Sequence, residues 1–578
     1  MGRTTVLRAT WGAIPPAWAL VCALGCGTPS RRGSPGPDCE PTSSPPSKAA
    51  TFTEVAELAH VAYREGAPVD GFSNCIVKNY CDFNLLMGSA AVGDYDGDGF
   101  PDLYVSRTWA TPILFHNERD GTFRDATASS GIGRFTSWSG AAWLDIDNDG
   151  DLDLMAQAAG TDRHYLYVNQ GNGTFTEEAH LRGVALDDGL TKLATSVAVG
   201  DYNRDGWLDI HLSEWSTKGL LGYFGDPKFP PPDRPGHTRL FRNMGASNPG
   251  HFEDVTLASG ALTDPPGADG LFTRVYSFGN AFADFDGDDW PDLAITGDFS
   301  TSRFFWNNQG SFVEKTIDSG LGRDQFGMGS AIADLDADGK LDWLVTSIGN
   351  GPSCIQGFCG NEHGNHLYRY AQNRMFEDVG EALGIHDGGW SWGAAMIDVD
   401  NDGDLDVAQT NGIEYPFVPP GAIFTVDPNR LWLNENGSFV ESAAALNFAD
   451  TRRGKGLVTF DYDRDGDLDV FVANNADTPN LFRNDIPQGD YLRVRVVTQT
   501  GRDAIGATVT IQPTPSDQPR VAVIGLGTHF LGQSESTAHF GLGKDAPPVT
   551  IVSVHWHDTG ITKVLKGVSP NQELVVTP

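Results

Sequence analysis

Positive charge is scarce in this chain: 40 Lys and Arg stand against 76 Asp and Glu, a formal net charge of −36 over 578 residues. Nucleic-acid binding needs a basic footprint for the phosphate backbone, and none is visible, so no nucleic-acid partner is expected. Long apolar runs are also lacking. The one strongly apolar N-terminal stretch, about a dozen residues ending near Cys26, is too short to span a bilayer. Low helix content is expected, because 69 Gly and 34 Pro accompany many short Val-, Phe- and Trp-containing runs broken by turn residues. A nucleophile elbow, a phosphate-cradling glycine loop, an H-E-x-x-H helix and a C-x-x-C pair are all missing, which disfavours the hydrolase classes that advertise themselves in sequence.

What is present begins with an export signal over residues 1–26. Arg3 and Arg8 supply its positive start, and Ala23-Leu24-Gly25-Cys26 resembles a bacterial lipoprotein processing site. Membrane attachment enters only through a lipid on Cys26; the expected locations are the periplasm, the outer membrane as a lipoprotein, or the extracellular space. Residues 27–50 are rich in Ser and Pro with almost nothing to bury, and read as a flexible tether. Cys75 with Cys81 and Cys354 with Cys359 are candidate disulfides in an oxidising compartment, with unpaired buried thiols as the alternative.

A nine-residue pattern then recurs seven times, with oxygen-bearing side chains at positions one, three, five and nine. The sets are Asp94, Asp96, Asp98 and Asp102; Asp145, Asp147, Asp149 and Asp153; Asp201, Asn203, Asp205 and Asp209; Asp284, Asp286, Asp288 and Asp292; Asp334, Asp336, Asp338 and Asp342; Asp398, Asp400, Asp402 and Asp406; and Asp461, Asp463, Asp465 and Asp469. Calcium takes six to eight hard oxygen ligands in a flexible shell, and a tight loop with carboxylates at alternate positions supplies several of them. About seven Ca2+ ions are therefore expected. Position six is glycine, suited to a left-handed turn, except that Asp289 replaces it in the fourth copy. Asn203 removes one ligand charge from the third copy, which makes that site the weakest expected. Strand-like runs flank each loop, and no Glu at position twelve follows, so these are not EF-hands.

A second element recurs out of phase, as in Thr122-Phe123-Arg124-Asp125 and Ser438-Phe439-Val440-Glu441, with a further run such as Leu431-Trp432-Leu433-Asn434 before it. Each unit is thus four short strands, with the acidic loop joining the first to the second. Units spaced 50 to 83 residues apart predict an all-β fold: a seven-bladed β-propeller over residues 51–487, followed by a small C-terminal β domain over 488–578. The last unit lacks its Phe-acid strand, and the missing copy stands at the start as Thr51-Phe52-Thr53-Glu54, so the N-terminal strand is expected to close the ring. An open solenoid is the alternative. Strand alternation puts the acidic loops on one face and the long insertions on the other, where binding or catalysis is expected.

The repeats resemble FG-GAP or VCBS repeats, which are related to the integrin α propeller. The tail resembles the ASPIC/UnbV domain through Ala504-Ile505-Gly506-Ala507, Gly525 to Gly527, Gln533-Ser534, His539-Phe540-Gly541-Leu542-Gly543 and Val554-His555-Trp556. Their order resembles the cartilage acidic protein and UnbV family. That resemblance implies extracellular calcium binding or a biosynthetic role, and it transfers no catalytic residue.

The first expectation is therefore an exported calcium-binding protein that engages a small molecule or an extracellular protein or glycan. The alternative is a copper-, iron- or zinc-dependent enzyme, tailoring a secondary metabolite, with its site on the face opposite the acidic loops. His363, His366 and His386 are its candidate ligands, with Glu214 and Arg274 as polar candidates on the same face. His555 and His557 share a strand face in the tail, a second spacing compatible with ligation.

Overall fold

The computed structural model describes residues 51–64, 66, 86–134, 136–160, 162–187, 189, 192–215, 238–261, 275–349, 364–413, 426–526 and 528–578. The export signal, the tether, every cysteine, His363 and Arg274 lie outside the described residues. No helix among the described residues is long and apolar enough to cross a membrane.

The molecule is all-β with almost no helix; the described α-helices are the single turns Thr127–Ser130 and Ala179–Arg182. The first repeat shows how the sequence makes its sheet. Ser89–Gly93 and Asp102–Ser106 pair around the acidic loop, Ile113–Asn117 adds the third strand, and Phe123–Asp125 adds the fourth. In the third strand Leu114 is fully buried, and Ile113 and Phe115 are buried beside it against neighbouring sheets. Sheets of this kind repeat along the chain, with leading strands Ser137–Leu144, Ala194–Gly200, Tyr276–Ala283, Ser330–Ala333, Ser391–Ile397 and Gly454–Phe460. Each leading strand touches the next, and Gly454–Phe460 touches Ser89–Gly93. Glycine permits this crowding. A Cβ on Gly140 would stand 1.8 Å from the Thr195 carbonyl oxygen, and one on Gly329 would stand 2.0 Å from that of Trp392. The result is a propeller-like set of four-stranded sheets.

Phe52–Glu54 pairs antiparallel with Asn480–Asn484, opposing Phe52 to Asn484 and Glu54 to Phe482. Phe52 is buried with Phe448 and Phe482, at ring-centroid distances of 5.5 and 6.3 Å.

The tail folds as two sheets. Asp490–Val496 lies between Ala538–Gly543 and Gln572–Val576, and Thr508–Gln512 lies between Arg520–Val523 and Val549–Trp556. Leu492, Val494, Val509, Ile511, Val552 and Trp556 form a core of their own. One piece leaves that core. Thr528–His529 and Gly532–Gln533 form a hairpin, and its second strand pairs parallel with Ser89–Gly93, matching Ala90 with Gly532 and Ala91 with Gln533. At its tip Phe530 and Leu531 are fully buried among Met87, Leu193, Trp215, Phe278, Trp390 and Trp392, which come from different sheets.

Candidate functional site

Each acidic loop is built by its own carboxylates. In the first, Asp94 accepts the N–H groups of Asp98 and Gly99, and Asp102 accepts those of Tyr95 and Asn117. The bond from the position-six N–H to the position-one carboxylate recurs in every copy, at 2.8 to 3.1 Å. Position six is left-handed throughout, from φ +71° at Asp289 to +103° at Gly403. So is position four, which sequence reasoning missed: Gly97, Asn148, Gly287 and Asn401 are residues that tolerate it, but Arg204, Ala337 and Arg464 hide it.

These turns bring oxygens together. Asp94, Asp96 and Asp98 each place one within 4.8 Å of the others, as do Asp145, Asp147 and Asp153, and Asp284, Asp286 and Asp292. Buried oxygens of Asp286, Asp334 and Asp461 accept no hydrogen bond. Burial is the chief force pushing carboxyls up, and neighbouring acids add to it: Asp102 and Asp398 rise to about 7, and Asp342 and Asp406 to about 8. Converging hard oxygens without enough donors fit a divalent cation of the calcium type. Local basic side chains face these carboxylates: Arg119 bonds Asp98, Arg374 bonds Asp286 at 2.5 Å, and His116 lies 3.3 Å from Asp102, whose carboxylate raises the imidazole above its usual value.

The tail covers the face that carries these loops. The Val521 N–H donates to Asp334 at 3.1 Å, Arg493 stands 3.6 Å from Asp461, and Arg495 stands 3.9 Å from Asp94. Gln533 clamps the second sheet, accepting the Trp143 N–H at 2.6 Å and donating to the Trp143 carbonyl at 3.1 Å. Ser534 accepts the Thr459 N–H at 2.9 Å. Between tail and sheets lies a cavity of about 400 Å3, lined by Asp334, Asp398, Leu405, Phe439, Arg520 and Val523 among others. It lies on the acidic-loop side, where sequence reasoning did not look for a binding site.

Of the opposite-face candidates, His366 and His386 meet edge to face at 5.7 Å. His366 bonds Asp378 at 2.7 Å and His386 bonds the Asn365 carbonyl at 2.9 Å. Glu214 stands instead beside His164, at 3.7 Å, where both are buried. The Lys455 ammonium is fully buried, 4.1 Å above the Trp392 ring and bonded to the Gly412 carbonyl at 2.6 Å; burial drives it far below its usual value.

Comparison with known proteins adds names to these parts. A family model described as FG-GAP-like repeat matches residues 88–156, 158–212, 284–345, 358–408 and 422–472, and one described as ASPIC and UnbV matches residues 497–578. Cartilage acidic protein 1 of Mus musculus is 30% identical over 267 residues, covering 44% of this chain and 38% of the mouse protein. The Homo sapiens protein of that name is 30% identical over the same length, covering 44% of this chain and 37% of its own. The match thus spans well under half of each relative. Among solved structures, an Agrocybe aegerita lectin that recognises non-reducing terminal N-acetylglucosamine aligns with TM-score 0.37 and 16% identity, covering 68% of this chain and 87% of that one. YCF48 from Cyanidioschyzon merolae aligns with TM-score 0.35 and 10% identity, covering 69% and 96%.

Proposed function

Because the chain belongs to the family that joins FG-GAP-like repeats to an ASPIC and UnbV domain, we propose that it is an exported, calcium-loaded binding protein. Its scaffold in this reading is a seven-bladed β-propeller over residues 51–487, closed by the strand Phe52–Glu54. The contact of Gly454–Phe460 with Ser89–Gly93 and the pairing of Phe52–Glu54 with Asn480–Asn484 support that closure. Each of the seven sets from Asp94–Asp102 to Asp461–Asp469 holds one Ca2+, with Asn203 in place of a carboxylate in the third.

The observation that carries the reading is the convergence of carboxylate oxygens in these loops, some buried without a donor. Bound calcium supplies the charge that such oxygens lack, so ion binding adds to folding stability. Partner recognition then falls to the rigid body so formed, and the cavity beside Asp334 and Asp398 is the described recess suited to a small molecule or to a group presented by a protein or glycan.

Native mass spectrometry of the calcium-loaded chain should show about seven Ca2+, and chelation should expose the whole repeat region to protease. Retention of full protease resistance after chelation would sink the calcium reading.

A further inference from the structure

One cluster of metal-binding side chains lies apart from the seven oxygen sets, at the seam between the tail and the fourth sheet. Position six of the acidic loop is glycine in six copies and aspartate only in the fourth, as Asp289. That single departure faces the only pair of alternating histidines in the tail, His555 and His557, on and just beyond the strand Val549–Trp556. One oxygen of Asp289, Oδ1, lies 3.2 Å from His555 Nε2 and 2.9 Å from His557 Nδ1. The two imidazoles stand at 88° with centroids 4.7 Å apart, so that their nitrogens converge.

From these positions we propose a transition-metal site, with Asp289 Oδ1, His555 Nε2 and His557 Nδ1 as ligands and Zn2+ as the ion. Two imidazoles and a carboxylate suit a borderline first-row cation better than calcium, which takes oxygen. In a tetrahedral zinc site with bonds of about 2.0–2.1 Å, ligand atoms stand about 3.3 Å from one another. The two Asp289–imidazole separations need only a few tenths of an ångström of expansion, and all three ligand atoms already lie within 4.8 Å of one another. The surroundings orient each ring for this task. His555 Nδ1 pairs with the Thr562 hydroxyl at 2.7 Å, and His557 Nε2 pairs with the Thr508 hydroxyl at 2.8 Å. When those nitrogens carry the protons and the threonines accept them, both facing nitrogens are free to ligate.

Arg204 is a cation at the cluster. It stands 3.8 Å from the other carboxylate oxygen, Oδ2, and donates to the His557 carbonyl, which leaves Oδ1 to the imidazoles. The three side chains are partly exposed, at 36, 27 and 17% for Asp289, His555 and His557, so water can fill the fourth position. Bound here, the ion ties the tail to the fourth sheet across a gap of more than 260 residues of chain, 266 from Asp289 to His555. Asp289 presents this oxygen from the fourth acidic loop, where its own N–H donates to Asp284 at 2.8 Å, so the site is tested with the loops saturated with calcium.

Zinc titration of the untagged full chain, saturated with Ca2+ and followed by calorimetry, tests it. Wild type should bind one equivalent that excess Ca2+ does not displace. D289G, which restores the residue of the other six loops, should weaken that site by at least about tenfold with calcium stoichiometry unchanged. Should D289G fold poorly, the H555N and H557N variants give the same reading from the tail side, and Cu2+ loaded into wild type should show two nitrogen couplings by electron paramagnetic resonance that either variant reduces to one. Wild type without a calcium-resistant equivalent, or D289G, H555N and H557N all within twofold of wild type, overturns the site.

Discussion

Arg163 clasps Glu177 through two guanidinium nitrogens and lies 4.2 Å over the Tyr165 ring, holding the outer strand Phe175–Glu177 against Tyr165–Asn169. Burial by itself raises the Glu177 carboxyl, but the Arg163 bonds and the Ala179 N–H outweigh it and keep the group below the usual glutamate value. A folded-state value below the unfolded one gives stability that is present above the unfolded value of about 4.3 and is lost as pH falls through the folded value. The pair is partly exposed, so Glu177→Gln should cost only about 1 kcal/mol at pH 7. In urea unfolding the difference from the parent should shrink as pH falls toward about 2; a difference independent of pH would assign the loss to packing. Residue-scale strain has its own use here. Arg204 and Arg464 adopt left-handed backbone at position four, which costs on the order of 1 kcal/mol each. Both then reach the tail, Arg204 at the His557 carbonyl and Arg464 at Glu535 and Glu573.

Among the elements, the Thr528–Gln533 hairpin plants the tail in the apolar cluster of the repeats. Phe530 packs edge to face on Phe278 at 5.4 Å and tilts over Trp392 at 5.2 Å. Truncation there leaves a cavity walled by rigid aromatic rings that cannot collapse, so Phe530→Ala should cost about 3 kcal/mol or more. It should also make the tail the first segment cut in limited proteolysis, and an unchanged cleavage order would show that the polar contacts of Gln533 and Ser534 suffice. The four-strand unit and the acidic loops were legible in the sequence because ligand spacing and apolar alternation are local and repeated. The hairpin was not: Phe530-Leu531 reads as any short apolar pair, and its partners are gathered from distant sheets. Gln533-Ser534 was visible as a motif, but its role as a clamp on Trp143 and Thr459 depends on contacts 390 and 75 residues away. The meeting of Asp289 with His557, 268 residues apart, was equally hidden, although each was an oddity in its own segment.

For the whole molecule, charge is the dominant liability. Seven divalent ions would offset 14 of the 36 net negative charges, leaving about −22. In the chelated protein that offset is lost and the loop carboxylates repel across short distances, and about 1 M NaCl shortens the screening length to about 3 Å. Added salt should therefore raise the Tm of the chelated protein while changing that of the calcium-loaded protein little; equal responses in a thermal melt would remove charge repulsion as the cause. The pairing of Phe52–Glu54 with Asn480–Asn484 has a further consequence that belongs to time. Thr53 bonds Asp485 across 432 residues of chain, and the hairpin tip that fills the aromatic centre is made later still. At roughly 5–20 residues per second, a ribosome takes on the order of 20–90 s to travel from that first strand to its partner. Throughout that interval one sheet edge is unpaired and the aromatic cluster around Phe278 and Trp392 is unfilled, so the chain cannot finish as its sheets emerge one by one. Long-range pairing of this kind predicts that folding finishes late, and a product cut short before Phe530 would be born with that apolar cluster exposed.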